Sequence, residues 1–155
     1  MSVKADAETL RSIPLFAECD HVHLQVLAFA SERQHFKAGE ALIAQGEQGA
    51  SCFLILSGEA DLLAERDQIM GSAGPGALLG EVAMIGGGPY SVTARARTAV
   101  TAAKIPRSLF IRVAEEYPEF GKTVCRALGG KLEGSMADLL SAQVLFDRAK
   151  SFSDL

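Results

Sequence analysis

From Arg33 to Ile105 the sequence is a succession of short β-prone stretches cut by glycine-centred turns, and this punctuation restricts the fold more than any other feature. His35-Phe36, Ala41 to Ala44, Cys52 to Leu56, Ala60 to Ala64 and Ile69-Met70 alternate with Ala38-Gly39-Glu40, Gln45-Gly46-Glu47, Ser57-Gly58-Glu59 and Gly74-Pro75-Gly76. Ser91 to Arg97 then alternates strictly, with Ser91, Thr93, Arg95 and Arg97 on one face and Val92, Ala94 and Ala96 on the other. About eight short strands at this spacing predict a sandwich or a jelly-roll-like β-barrel, not a parallel sheet.

Helical patterns flank this β region. Before it, Leu10, Ile13, Leu15 and Phe16 surround Pro14, and Asp20 is placed to cap a helix. That helix is expected to use Val22, Val26 and Phe29 as its apolar face, widened by Leu24 and Leu27. After the β region, Ser108 to Tyr117 reads as a helix ended by Pro118, and a longer one runs from Glu119 towards Phe146. Its Phe120, Val124, Leu128, Leu132 and Met136 recur every four residues, followed by Leu139, Leu140 and Val144; Gly129, Gly130 and Gly134 weaken it. Such a stripe suits packing on the chain's own β region or on a second copy as a homodimer. The expected organisation is a mainly β single domain over 1–155: helical 1–32, a β-barrel over 33–106 and C-terminal helices over 107–155.

The 155 residues suffice for one buried core, and 48% hydrophobic with 22% charged residues is an ordinary globular balance. No apolar run reaches membrane-spanning length, and the N-terminus lacks a secretory pattern, so no membrane partner is expected. Three scattered cysteines, Cys19, Cys52 and Cys125, argue for free thiols and a cytoplasmic location. A net charge of −4 argues against broad attachment to nucleic acid.

No enzymatic constellation is legible. His21 and His23 differ by two on a predicted helix and so face different ways, while His35 stands alone on a strand. Gly86-Gly87-Gly88 lacks the following Lys-Ser/Thr of a phosphate-binding P-loop. The expectation is therefore no catalytic residues, no metal, no cofactor and no enzyme.

The segment from Gly74 to Ser91 holds most of the chemical information. A glycine-rich turn leads into Leu78-Leu79, then Gly80-Glu81, one possible helical turn over Val82 to Ile85, three glycines, Pro89, Tyr90 and Ser91. Glycine before a helix start lets backbone N–H groups approach an anion, and Glu81 beside it suits sugar hydroxyls better than phosphate. Read on periodicity alone, the same segment is also a plain glycine-rich crossover between two strands.

Gly80-Glu81-Val82-Ala83-Met84, the glycine loop, Pro89 and Ser91 resemble the phosphate-binding cassette of the cyclic-nucleotide-binding domain family, of the catabolite-activator and protein kinase A regulatory-subunit type. Ile13-Pro14-Leu15-Phe16, Phe36-Lys37-Ala38-Gly39-Glu40, Gln45-Gly46-Glu47 and Phe53 to Glu59 extend the similarity over roughly Leu10 to Phe146. The resemblance implies a regulatory sensor that binds cAMP, cGMP or another small anionic ligand and responds through its C-terminal helix. By that resemblance Glu81 takes the ribose 2′-hydroxyl, the backbone of Gly80, Val82 and Ala83 cradles ribose and phosphate, Ser91 touches the phosphate, and Ser135 lies near a helix hydroxyl that reaches the base.

One departure matters. The family carries an arginine before the serine, and here Tyr90 stands in its place. A phenol offers one neutral donor where a guanidinium offers a charged fork, a difference that weakens phosphate binding by about one to three orders of magnitude. The alternative expectation is a protein-interaction domain that kept the fold and lost the ligand. In the transcription-regulator branch a DNA-binding domain follows the long helix; Asp147 to Leu155 are too few for one, so DNA binding by this chain is not expected.

Overall fold

The computed structural model describes residues 3–131. The helix expected to run on from there, with Leu132, Gly134, Ser135, Met136, Leu139, Leu140 and Val144, lies outside the described residues. The chain divides into two compact units, one of strands over Ser31–Pro106 and one of helices from the residues on either side.

Eight strands are described in the first unit: β1 (Glu32–Phe36), β2 (Ala41–Ile43), β3 (Ser51–Ser57), β4 (Ala60–Leu63), β5 (Ile69–Ala73), β6 (Leu78–Leu79), β7 (Thr93–Ala96) and β8 (Val100–Pro106). They form two four-stranded sheets, ordered β1-β8-β3-β6 and β2-β7-β4-β5, and every pairing within them is antiparallel. Among the described residues no ladder joins one sheet to the other, so of the sandwich and the jelly-roll-like barrel that the sequence predicts the arrangement is sandwich-like and the barrel is not closed. Glycines in all four predicted turns, Gly39, Gly46, Gly58 and Gly76, take the left-handed conformation that a side chain would strain.

The core of this unit draws on both sheets. Phe53, Ile55, Leu79, Val100 and Ala102 of one meet Leu42, Ile43, Ala60, Ala73, Ala94 and Ala96 of the other. The β7 alternation is as its sequence predicts, with Ala94 and Ala96 buried and Thr93 and Arg95 less so. On the other face of the second sheet Arg97 bonds the Asp61 carboxylate at 2.6 Å and lies 3.5 Å from Glu59, while Arg95 lies 3.5 Å from Asp67.

The helical unit contains α1 (Val3–Arg11), α2 (His21–Ala30), α4 (Arg107–Glu116) and α5 (Pro118–Lys131); a short α3 (Glu81–Gly86) belongs to the strand unit. Asp20 caps α2, its carboxylate accepting the Val22 N–H at 2.9 Å. The face of α2 differs from the sequence expectation. Leu24, Leu27 and Ala28 are buried, whereas Val22 is 57% and Phe29 78% exposed. Because α2 is apolar nearly all round, periodicity could not choose between adjacent faces. Pro118 begins α5 as its first residue, where the missing N–H is harmless. Phe120, Val124 and Leu128 of α5 are buried as the four-residue spacing predicts, with Phe120 against Phe16, Phe110 and His23. No described helix is long and apolar enough to cross a membrane.

Candidate functional site

The site is built where β6 stops being a strand. β6 pairs with β3 through Leu78 opposite Leu54 and Leu79 opposite Phe53. Gly80 then turns the chain with φ 79°, and α3 (Glu81–Gly86) begins at once. Left-handed backbone at this point excludes a side chain for a second reason: a Cβ on Gly80 would lie 2.7 Å from the Tyr90 ring. At the other end Gly87 is also left-handed and returns its N–H to the Ala83 carbonyl at 2.8 Å, which ends the helix after six residues.

Glu81, the first residue of α3, is buried at 7% exposure, followed by half-buried Val82 and Ala83 and fully buried Met84 and Ile85. The Glu81 charge reaches Cys52 on β3, whose thiol is pushed far above the ordinary range, first by burial and second by that carboxylate.

A second loop closes over α3. Tyr90 and the residues just before it pair with Gly46 to Gly49 through backbone bonds: Tyr90 N–H to the Glu47 carbonyl at 2.9 Å, Gly46 N–H to the Tyr90 carbonyl at 3.0 Å, and Gly49 N–H to the Gly88 carbonyl at 2.8 Å. The Gln48 amide adds a bond to the Gly87 carbonyl at 2.7 Å. Gly49 lies so close to α3 that a Cβ there would come within 2.6 Å of Ala83.

Tyr90 is the centre of this closure. Its side chain points inward at 8% exposure and belongs to the core of the strand unit. The hydroxyl donates to the Ser51 carbonyl at 2.5 Å and accepts the Ser51 N–H at 3.3 Å. The geometry of β3 explains why that pair of backbone groups needs a partner. Ile55 directs its N–H to the Ala77 carbonyl and its carbonyl to the Gly76 N–H. By the two-residue period of a strand, Phe53 and Ser51 present their polar groups to that same side. The register would set residue 81 opposite Ser51, but the chain has already left the strand at Gly80. The phenol substitutes for the strand that is not there. Its pKa is raised above that of an ordinary phenol, foremost by burial, with a smaller contribution from the Glu47 carboxylate.

The sequence-predicted site residues thus fall into three groups. Gly80, Glu81, Val82 and Ala83 come together as the turn and first helical residues, with the Tyr90 ring against Gly80. Ser91 follows Tyr90 and, unlike the buried phenol, is exposed. Ser135 lies outside the described residues. Sequence reasoning missed Ser51 and Gly49, which hold the closure; the contacts that matter there join residues 39 apart in sequence, and Ser51 contributes only backbone.

Comparison with known proteins agrees with this architecture. The family described as the cyclic nucleotide-binding domain matches residues 33–117. A cAMP-dependent protein kinase regulatory subunit of Debaryomyces hansenii is 29% identical over 150 residues, covering 89% of this chain and 33% of the relative. The chain therefore spans about a third of that relative's length. A solved structure described as a cyclic nucleotide-binding-like protein from Brucella abortus superposes with a TM-score of 0.66 at 32% identity, over 72% of this chain and 98% of that one. The N-terminal domain of a transcriptional regulator from Streptomyces coelicolor shares the fold with a TM-score of 0.74 at 24% identity, over 80% of this chain and 91% of that one. On its sequence match and its fold, the chain belongs to the cyclic nucleotide-binding domain family.

Proposed function

We propose that this chain is a non-catalytic regulatory module that receives a small ribose-bearing ligand at the turn from β6 into α3. The observation that carries this reading is Glu81. It places a carboxylate, at 7% exposure, immediately after a left-handed glycine and at the first position of α3. It is well suited to accept hydrogen bonds from vicinal ribose hydroxyls. In this reading the backbone of Gly80, Val82 and Ala83 lines the ribose and Ser91 meets the ligand's phosphate, while Ser135, expected near the base, lies outside the described residues.

The same proposal takes the two sheets as a jelly roll, because the orders β1-β8-β3-β6 and β2-β7-β4-β5 are those of two interleaved Greek keys. Three free thiols suit a cytoplasmic location. A homodimer through the apolar stripe that the sequence carries from Phe120 onwards also belongs to this reading.

Cyclic nucleotides are expected to bind weakly, since Tyr90 offers no charge and its hydroxyl is already bonded to Ser51. A second reading, a protein-interaction domain without a ligand, is favoured by that same engagement of Tyr90 in the core. Isothermal titration with cAMP and cGMP discriminates the two. Saturable heat that disappears in Glu81→Gln supports the ligand site. No heat at millimolar ligand, with an unchanged melting temperature, supports the interaction domain.

A further inference from the structure

We infer that the exposed face of α2 receives the apolar stripe of a second copy, so that each copy of the homodimer docks its stripe on the other's α2. This rests on the homodimer of the proposed function and names the surface that it uses. Val22, Val26 and Phe29 fall at i, i+4 and i+7 and share one side of α2. Val22 is 57% and Phe29 78% exposed, and Val26 is half-buried. His21 and Gln25 bond to each other at 3.1 Å beside this row. From His21 to Ala30 there is no lysine, arginine, aspartate or glutamate. Such a face takes an apolar partner, because it holds no charge with which to pair a charged one.

The chain carries a matching row. Leu132, Met136, Leu139 and Leu140 repeat at helical spacing without a charge among them, and lie outside the described residues. Length decides which copy's row meets the face. The row extends that of Phe120, Val124 and Leu128, which are buried, and α5 meets α2 at its start, where the Phe120 and His23 rings lie 6.2 Å apart. On the helical spacing that the sequence predicts, Leu132 falls about 18 Å and Leu140 about 30 Å beyond Phe120, whereas α2 is only about 15 Å long. The row thus outruns the α2 of its own chain and is left for a neighbour's.

Area favours the same arrangement. Val22, Val26 and Phe29 together expose about 300 Å², and the four residues of the row offer about 100 Å² each. Two such contacts, related by a twofold axis, bury about 1,400 Å², within the range of roughly 1,200–2,000 Å² that a stable interface needs. Pairing α2 with α2 would bury only about 600 Å², the size of a crystal contact.

The test is sedimentation equilibrium of the 155-residue chain, of Phe29→Asp, of Leu140→Asp, and of the two variants mixed. The expected result is a dimer at about 100 µM chain. Each substitution should weaken it at least about a hundredfold, since symmetry removes the side chain from the assembly twice. The mixture should associate again, because one copy's intact α2 then meets the other's intact row. Phe29 is exposed, so circular dichroism should show Phe29→Asp folded; if it is not, Val22→Asp takes its place. Dimerisation lost in Leu140→Asp but kept in Phe29→Asp overturns the inference and leaves the homodimer of the proposed function standing. A mixture that stays monomeric, or a Leu140→Asp chain that still dimerises, also overturns it. An unsubstituted chain that is monomeric at about 1 mM overturns both.

Discussion

Replacing Tyr90 by phenylalanine isolates the hydroxyl from the ring. The ring stays to fill the core and to pack on Gly80, while Ser51 loses the acceptor of its N–H and the donor to its carbonyl. Ser51 is buried, and β6 has ended before reaching it, so no neighbouring strand supplies replacements. Each buried backbone group left without a partner costs about 1–3 kcal/mol. Allowing for partial rescue by an entering water, the pair should lower stability by about 2–3 kcal/mol. For a chain of this size that corresponds to a melting temperature lower by roughly 5–10 °C. Urea unfolding followed by circular dichroism measures it, with Ser51→Ala as control, since that change keeps both backbone groups. A loss below about 0.5 kcal/mol, within the range of an ordinary surface substitution, would refute the idea that the phenol completes the missing strand.

Other consequences follow from the same geometry. Gly80→Ala meets both a positive φ and the Tyr90 ring, so it should destabilise by at least about 2 kcal/mol in the same unfolding assay. Asp20→Ala removes the α2 cap and should cost about 1 kcal/mol, read in the same way. Burial raises the Cys19 thiol from the ordinary 9.0 to about 11, which favours the neutral form in the folded state. Its contribution is therefore complete below pH 9 and is lost as pH rises from about 9 to about 11, so Cys19→Ser should flatten stability against pH in that window. Cys52, fully buried beside Glu81, should react with a thiol reagent only after unfolding.

Much of this fold was legible because its signals are local. Turn glycines announce a left-handed backbone by their own lack of a side chain, as at Gly39 and Gly58, and the β7 alternation needs only a strand's period. The Asp20 cap and the Phe120, Val124, Leu128 stripe are equally local. What was not legible depends on distant partners. Val22 and Phe29 were expected inside and lie outside, because a helix apolar on several sides is oriented by its neighbours and not by its own pattern. A sandwich or a jelly-roll-like barrel was expected without a choice between them; the strand pairings resolve into two sheets, which sequence period does not give because it predicts strands and not their ladders.

At the site the sequence located Gly80, Glu81 and the departure at Tyr90. It offered a phenol but no sign of what the phenol does. That role depends on where β6 ends relative to Ser51, a register between segments far apart in the chain. A lost charge and a gained structural bond look alike when only the substitution is read.

The most direct test of the central claim is a titration of the uniformly ¹⁵N-labelled chain with adenosine and with cAMP, followed by amide chemical shifts. The account predicts saturable shifts concentrated at Gly80, Glu81, Val82, Ala83 and Ser91 with at least one of the two ligands. Spectra unchanged by either ligand at millimolar concentration, or shifts confined to residues away from the β6–α3 turn, would contradict it.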